Sequence, residues 1–131
     1  MANVHRRKKA RRKLSKALKA NACSAMFAAI EIHNKPIFKY RYEVCALLMV
    51  NAWELALKSY IAKELKTVKL VKKNGTSKPF LECVSCVASK LGKSFEPTKQ
   101  NLEILYDYRN KVVHFYASEL ETIVLGLLKS T

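Results

Sequence analysis

One segment, residues 42–64, restricts the fold of this chain more than any other part of its sequence. Its large apolar residues lie on nearly every side of a helix rather than along one stripe: Val44, Leu47, Leu48, Met49, Trp53, Leu55, Leu57 and Ile61. A helix that is apolar all round has to be covered by other elements on more than one side. Residues 42–64 are therefore predicted to form the central helix of a bundle.

The rest of the chain favours an all-α fold of about five helices. Glycine and proline number only three each in 131 residues, and half of the residues are apolar, which is typical of packed helices rather than of a barrel or sandwich. Helix ends are predicted where proline, glycine or a capping residue interrupts the pattern. The predicted boundaries are the end of the first helix at Asn34, the end of the third at Gly92, the start of the fourth at Pro97 and the start of a fifth at Ser118.

A small hairpin or loop is predicted as an insertion near residues 66–79. Val68, Leu70 and Lys72 alternate between apolar and polar as in a strand, and Asn74-Gly75 follows them. An Asn-Gly pair is the strongest short signal for a hairpin turn. Because an isolated hairpin is only marginally stable, this one is expected to pack on the helices.

The charge is strongly positive and unevenly distributed. The chain has a formal net charge of +15, and nine of its cations lie within residues 1–19, which contain no acid. Residues 1–19 are predicted to be a basic arm or an extension of the first helix, followed by one helical domain over residues 20–131. Such a charge favours a polyanionic partner, whereas the alternative is a merely solvated charge run. The residues predicted to contact RNA phosphates are Arg6, Arg7, Lys8, Lys9, Arg11, Arg12 and Lys13.

Neither a secretory signal nor a membrane anchor is predicted from the sequence. The amino-terminal charges are not followed by an apolar run, and the longest uncharged stretch, residues 44–53, is too short to cross a bilayer. The four cysteines are then expected to be reduced thiols in the cytoplasm. Cys83 and Cys86 form a single C-x-x-C without a matching second pair, so they are interpreted as small buried residues, and neither a metal nor a cofactor is expected.

The residues that suggest chemistry lie together in the stretch 101–116. Arg109 occupies the same helical stripe as Leu105 and Val112, and a guanidinium on an inward stripe is costly unless it is paired or lines a site. His114 follows five residues later and titrates near neutrality, and Asn110 is its neighbour one turn before. Arginine, asparagine and histidine near one helix end suit phosphate chemistry. The alternative is that Arg109 pairs with Glu54 or Asp107 and that His114 is a packed ring.

Three stretches of the sequence together resemble one known family. RNKVVHFY, residues 109–116, resembles the Arg-x4-His signature of the HEPN superfamily, including the longer form that ends His-x-Tyr. AIEIHNKP and KYRYEVCALLMVNAWELALKSYI resemble the first two helices of a HEPN branch that is named only as a domain of unknown function. The resemblance spans roughly residues 20 to 120. Relatives in this branch are generally longer, so the chain is expected to be the amino-terminal portion of a larger protein.

The resemblance implies a metal-independent endoribonuclease in a toxin, stress or antiphage-defence role. HEPN nucleases form composite sites across a homodimer, in which Arg109 and His114 would be catalytic. Asn110 would orient the imidazole or donate to a phosphate oxygen. Glu54 lies with Asn51 and Lys58 on a narrow polar strip of the central helix, so it would hold the guanidinium if the two helices pack side by side; the alternative is that this strip faces water. Tyr116 would be either a core aromatic or the target of a nucleotidyltransferase antitoxin. The alternatives are a non-catalytic RNA- or nucleotide-binding module and the dimerisation domain of a larger protein.

Overall fold

The computed structural model of the chain describes residues 2–37 and 39–130, without the side chains of residues 116–122 and 130. The elements are α1 (Ala2–Asn34), α2 (Arg41–Glu64), α3 (Phe80–Leu91), the 3-10 turn Gly92–Phe95 and α4 (Glu96–Ser130). No strand occurs within these described ranges. The predicted all-α class is confirmed, with four α-helices and one short 3-10 turn.

The first two helices form a long antiparallel hairpin. Arg11 contacts the end of α2 and Ser15 bonds to Ser59, whereas the Cys45 thiol near the start of α2 donates to the Ala29 carbonyl. The buried residues of α1 are all small and recur every seven positions: Ser15, Ala22 and Ala29. A seven-residue spacing is two helical turns, so these small side chains form one seam along which the two backbones approach closely.

Helix α2 is buried from two sides, as its all-round apolar sequence predicts. Its Ser59 faces the Ser15 hydroxyl of α1, while Val50, Leu57 and Ile61 enter the main core. That core also contains residues of α3, of the 3-10 turn and of the first half of α4: Phe80, Cys83, Val84, Val87, Phe95 and Leu102. The prediction of a central helix over residues 42–64 is confirmed.

A sharp reversal after α3 brings α4 back onto the same core. Gly92 ends α3 with φ 72° and ψ −145°, a backbone conformation that L side chains rarely adopt. The predicted end of the third helix at Gly92 is confirmed. Because the turn is short, the first half of α4 packs against both α2 and α3, and this places Leu102 in the core.

The segment between α2 and α3 makes a hairpin-like turn without regular strands. A single antiparallel bridge joins Val71 to Ser77, and the Lys72 amide donates to the Thr76 carbonyl at 2.8 Å. The Asn74 side chain accepts hydrogen bonds from the Thr76 amide and hydroxyl, and Gly75 follows with φ 85°. The predicted insertion is therefore present as a hairpin loop.

The separate fifth helix predicted from Ser118 is wrong. Helix α4 continues without interruption from Glu96 to Ser130, so Ser118 lies inside it and does not begin a new helix. No proline follows Pro97 in the sequence, and a serine costs a helix interior only a few tenths of a kcal/mol, about 0.5 at most. The described side chains of residues 123–129 are all exposed, so the second half of α4 extends beyond the core.

Helix α2 is also long and apolar enough to cross a membrane by length and composition alone, with a mean hydropathy of 1.3 over its most apolar window. The central helix of a globular bundle meets the same criterion. Here the apolarity of α2 is used in packing, because its side chains contact α1 on one side and the main core on the other.

Candidate functional site

Helix α4 places Arg109 at the edge of the core. Leu102 is buried and Leu105 and Tyr106 pack against the core, so the inward stripe of the helix passes through the position of Arg109. Arg109 is half-buried, and its Nε atom is buried without a hydrogen-bond partner. The inward orientation predicted from the sequence is confirmed.

An aromatic stack supports the Arg109 guanidinium. The Arg109 Cζ atom lies 4.9 Å from the centroid of the Tyr106 ring. The Tyr106 ring is in turn stacked on Phe80, with centroids 4.9 Å apart and an angle of 13° between the planes. A cation over an aromatic face is attracted by the ring quadrupole but keeps its N–H donors available. The stack therefore fixes the cation without neutralising it.

The carboxylates expected to pair with Arg109 are engaged elsewhere. Glu54 pairs with Lys58 at 3.8 Å, one turn along α2, and Asp107 pairs with Lys111 at 3.0 Å, one turn along α4. Within the described part of the chain, no ion pair includes Arg109. The expected pair between Glu54 and Arg109 does not form: the Glu54 carboxylate pairs with Lys58, and the Arg109 guanidinium lies over the Tyr106 ring.

The other predicted site residues lie further along α4, near its middle and not at a helix end as the sequence predicted, because α4 continues to Ser130. Asn110 and His114 are both exposed, so His114 is not a ring packed in the core. Five helical residues separate Arg109 from His114, which corresponds to a rise of about 7.5 Å and a rotation of about 140°. A single helix therefore points the two side chains in different directions. The side chain of Tyr116 lies outside the described residues.

The predicted RNA contacts of the arm lie on one continuous helix. Residues Arg6, Arg7, Lys8, Lys9, Arg12 and Lys13 are exposed on α1. Arg11 differs from them because its guanidinium donates to four backbone carbonyls at and after the end of α2: Ile61, Ala62, Leu65 and Val68, at 3.1–3.2 Å. Two of these carbonyls, Ile61 and Leu65, also accept backbone amides, from Leu65 and Val68, so Arg11 adds a further donor there. Arg11 therefore acts as a side-chain cap of the carboxyl end of α2 from another helix.

The C-x-x-C pair takes part in packing. Cys83 is fully buried in the core, where burial raises its pKa from 9.0 to about 11, and Cys86 is half-buried. The prediction that these thiols pack as small apolar residues is confirmed for Cys83. Among the residues described, no three His, Cys, Asp or Glu side chains converge on a point that could hold a metal ion.

Sequence reasoning did not find the Phe80–Tyr106 support or the groove that the basic arm forms with α2. The contact between Tyr106 and Arg109 could have been predicted, because Tyr106 precedes Arg109 by three residues and residues three apart are neighbours on a helix. The groove joins segments about fifty residues apart, so no local pattern could indicate it.

These features define an all-helical domain in which a hairpin of two long helices carries the basic residues and a third long helix carries an aromatic-supported arginine. The chain belongs to the DUF3644 family, a domain of unknown function, whose model matches residues 17–131. The match includes Arg109 and His114 and leaves out the seven arm cations predicted to contact RNA. Comparison with curated proteins gives no match, and neither does comparison with solved structures.

Proposed function

We propose that this protein is a metal-independent endoribonuclease of the cytoplasm that acts as a homodimer, with Arg109 and His114 as its catalytic residues. The observation that carries the proposal is the Arg109 guanidinium, which is held on the Tyr106 ring with no carboxylate partner among the described residues, five positions before an exposed imidazole. The resemblance of residues 109–116 to the HEPN signature supports the same assignment.

The chemistry needs only groups that these residues supply. RNA carries its own nucleophile, the 2′-hydroxyl beside each phosphate, so that cleavage requires a base for its proton, an acid for the leaving 5′-oxygen and a cation for the phosphorane. Arg109 would provide the cation, with donors arranged for phosphate oxygens. His114 would transfer protons, and Asn110 would orient the imidazole or donate to a phosphate oxygen.

A second copy of the chain would complete the site. One chain offers a single imidazole in this part of α4, whereas cleavage takes one proton and gives another. A twofold axis beside the middle of α4 would bring two Arg109 and two His114 side chains to a shared cleft. Val113 and Phe115 flank His114 and are both exposed, which gives the dimer an apolar surface to bury beside the site.

The biological setting that fits such a nuclease is a toxin, stress or antiphage-defence system. A nuclease acting on cellular RNA needs a partner that restrains it. In that setting Tyr116, which ends the His-x-Tyr sequence, would be the residue modified by a nucleotidyltransferase antitoxin.

The test is cleavage of a mixed RNA pool by the purified protein with a chelator present. His114→Ala is expected to lower the rate by about 10²–10⁴-fold, the usual range for a general acid–base group, while leaving RNA binding intact. Arg109→Ala is expected to lower it by about 10²–10³-fold. His33→Ala is the matched control, because His33 is also exposed but lies at the end of α1.

Equal loss in the His33 and His114 variants would show that the two histidines are not functionally distinct. Absence of cleavage by the unaltered protein on every RNA tested would refute the nuclease. The second candidate function, a non-catalytic RNA-binding module, would then take its place, and it is favoured independently by the strongly basic groove beside α1.

A further inference from the structure

A second polar surface lies apart from the Arg109 and His114 region. It is an open groove of about 1770 Å³ bounded by the first half of α1, the last turns of α2 and the loop that follows α2. We call it the α1–α2 groove. No residue of α4 lines it, so the proposed catalytic residues are outside it.

Both walls of the α1–α2 groove are basic. The α1 wall contributes five cations besides Arg11: Arg7, Lys8, Arg12, Lys16 and Lys19. The opposite wall contributes four, from the end of α2, the following loop and α3: Lys63, Lys66, Lys69 and Lys90. The one acidic residue in the lining is Glu64. None of the nine cations belongs to an ion pair within the described ranges, so their charge is available to a ligand.

Arg11 joins the two walls of the groove. It lines the groove from α1 and donates to carbonyls of the opposite wall, including that of Ala62 in α2 at 3.1 Å and that of Val68 in the following loop at 3.2 Å. Beside it, the Ser15 hydroxyl donates to the Ser59 carbonyl and the Ser59 hydroxyl donates to the Ser15 carbonyl, so both hydroxyl donors are satisfied within the protein. The groove is therefore a built feature of the α1–α2 hairpin rather than a gap between loose side chains.

The dimensions and the lining suit a polynucleotide strand better than a compact anion. Lys8 to Lys19 along α1 spans about 16 Å at 1.5 Å per residue. That length matches roughly five phosphates at the axial spacing of about 3.4 Å per phosphate in one strand of a duplex, and fewer in an extended strand. Tyr60 also lines the groove and is half-buried, which supplies an aromatic face that the arm sequence lacks.

We propose that the α1–α2 groove binds the backbone of single-stranded RNA and holds the strand at a distance from the cleavage site. A basic groove that follows the backbone, with an aromatic side chain available to a base, is the usual arrangement for single-stranded nucleic acids. The choice of RNA over DNA rests on the proposed function, whereas the groove itself is argued from its charge and shape.

The test compares two triple variants that remove the same charge. Lys63→Gln/Lys66→Gln/Lys69→Gln neutralises one wall of the groove. Lys73→Gln/Lys93→Gln/Lys99→Gln is the matched control, because these lysines neither line the groove nor form ion pairs in the described part of the chain. Binding to a fluorescent single-stranded RNA is measured by anisotropy between about 50 and 200 mM salt, in a His114→Ala background so that the probe survives.

The groove triple variant is expected to reduce the slope of log K against log salt by about 2, at about 0.7 per phosphate on single strands. If the affinity extrapolated to about 1 M salt is unchanged, this change in slope corresponds to a loss of affinity of roughly 100-fold at about 0.1 M salt. The control triple is expected to change the slope by less than half as much, because its lysines do not face the strand. Equal losses in the two variants, or no loss in the groove variant, would overturn the groove assignment.

Matched probes of single-stranded DNA and duplex RNA identify the ligand. Equal binding of the DNA probe overturns the choice of RNA, and preference for the duplex overturns the single-strand assignment. The proposed nuclease fails separately: if the unaltered protein binds RNA through the groove but never cleaves it, the nuclease is refuted and the groove stands. If the unaltered protein cleaves RNA but the groove triple variant binds RNA as tightly as the unaltered protein does, the groove assignment is refuted and the nuclease stands.

Discussion

Removing the Arg11 side chain should destabilise this protein far more than removing any other cation of the arm. The guanidinium donates from Nε to the Ala62 carbonyl and from one terminal nitrogen to the carbonyls of Ile61, Leu65 and Val68. Those two nitrogens carry three hydrogens, so four acceptors share three donors. At about 1.5 kcal/mol for each hydrogen bond from a charged donor, the bonds contribute about 4.5 kcal/mol.

That figure must be reduced because the groove is open. In an Arg11→Ala variant, water can reach the released carbonyls, and we take about half of the bond energy as recovered by hydration. The lost cation at the carboxyl end of α2 adds about 0.5 kcal/mol from the helix dipole. The expected loss in the free energy of unfolding is therefore about 2.5 kcal/mol, or a Tm lower by about 10 °C for a domain of this size.

Arg12→Ala is the matched control for this prediction. It removes the same charge from the next position of α1, where the side chain is exposed, and should change the free energy of unfolding by less than about 0.5 kcal/mol. Urea unfolding followed by circular dichroism measures both variants. If the Arg11 and Arg12 variants are equally stable, the cap contributes nothing and the reasoning is refuted.

Three further predictions test other parts of the fold and site. Gly92→Ala should cost about 2 kcal/mol in urea unfolding, because the backbone there is nearly glycine-only even though an added Cβ meets no atom. Gly126→Ala, in an exposed part of the helix, should instead stabilise α4 by about 1 kcal/mol, and a cost at Gly126 would contradict this account. The pKa of Cys83 is raised from 9.0 to about 11, so the unfolded chain loses this proton first and stability should fall as pH rises from 9.0 to about 11. A Cys83→Val variant, which lacks the thiol, with the same pH profile would exclude the thiol as the cause. Tyr106→Leu should slow the proposed cleavage by about 10-fold or more, because it removes the ring beneath Arg109, whereas Tyr106→Phe keeps the ring and should retain the rate. Equal rates in the two variants would show that the stack does not position the guanidinium.

The elements that the sequence predicts well are those determined by local pattern. Helix α2 is recognisable because apolar residues surround it, and the α3 boundary is recognisable because only glycine readily adopts the backbone at Gly92. The end of α4 was predicted less well. A serine followed by a glutamate three positions later resembles a capping box, but the helix had no physical reason to stop there, and α4 continues through Ser118.

Contacts between distant segments were harder to predict. Arg11 is one of nine cations in the arm, and its capping role depends on carbonyls about fifty residues away that only the antiparallel pairing of α1 and α2 brings near. The pairing expected between Glu54 and Arg109 failed for a related reason. Lys58, one turn away on the same helix, pairs with the Glu54 carboxylate, and a partner from a distant segment has to compete with this local pair.

The proposed nuclease requires His114 from two chains, and this requirement can be tested directly. Arg109 and His114 point about 140° apart on one helix, and a single exposed histidine cannot both remove the 2′-hydroxyl proton and protonate the leaving oxygen from two sides. If each cleft uses His114 from both chains, a dimer with one His114→Ala chain is as inactive as a dimer with two. When wild-type and His114→Ala proteins are mixed equally and allowed to exchange, activity should be about a quarter of that of wild-type protein at the same total concentration, because only that fraction of dimers carries both imidazoles. Independent monomers, or dimers with separate sites, would keep about half, and a value of half with exchange verified by crosslinking would refute the shared cleft.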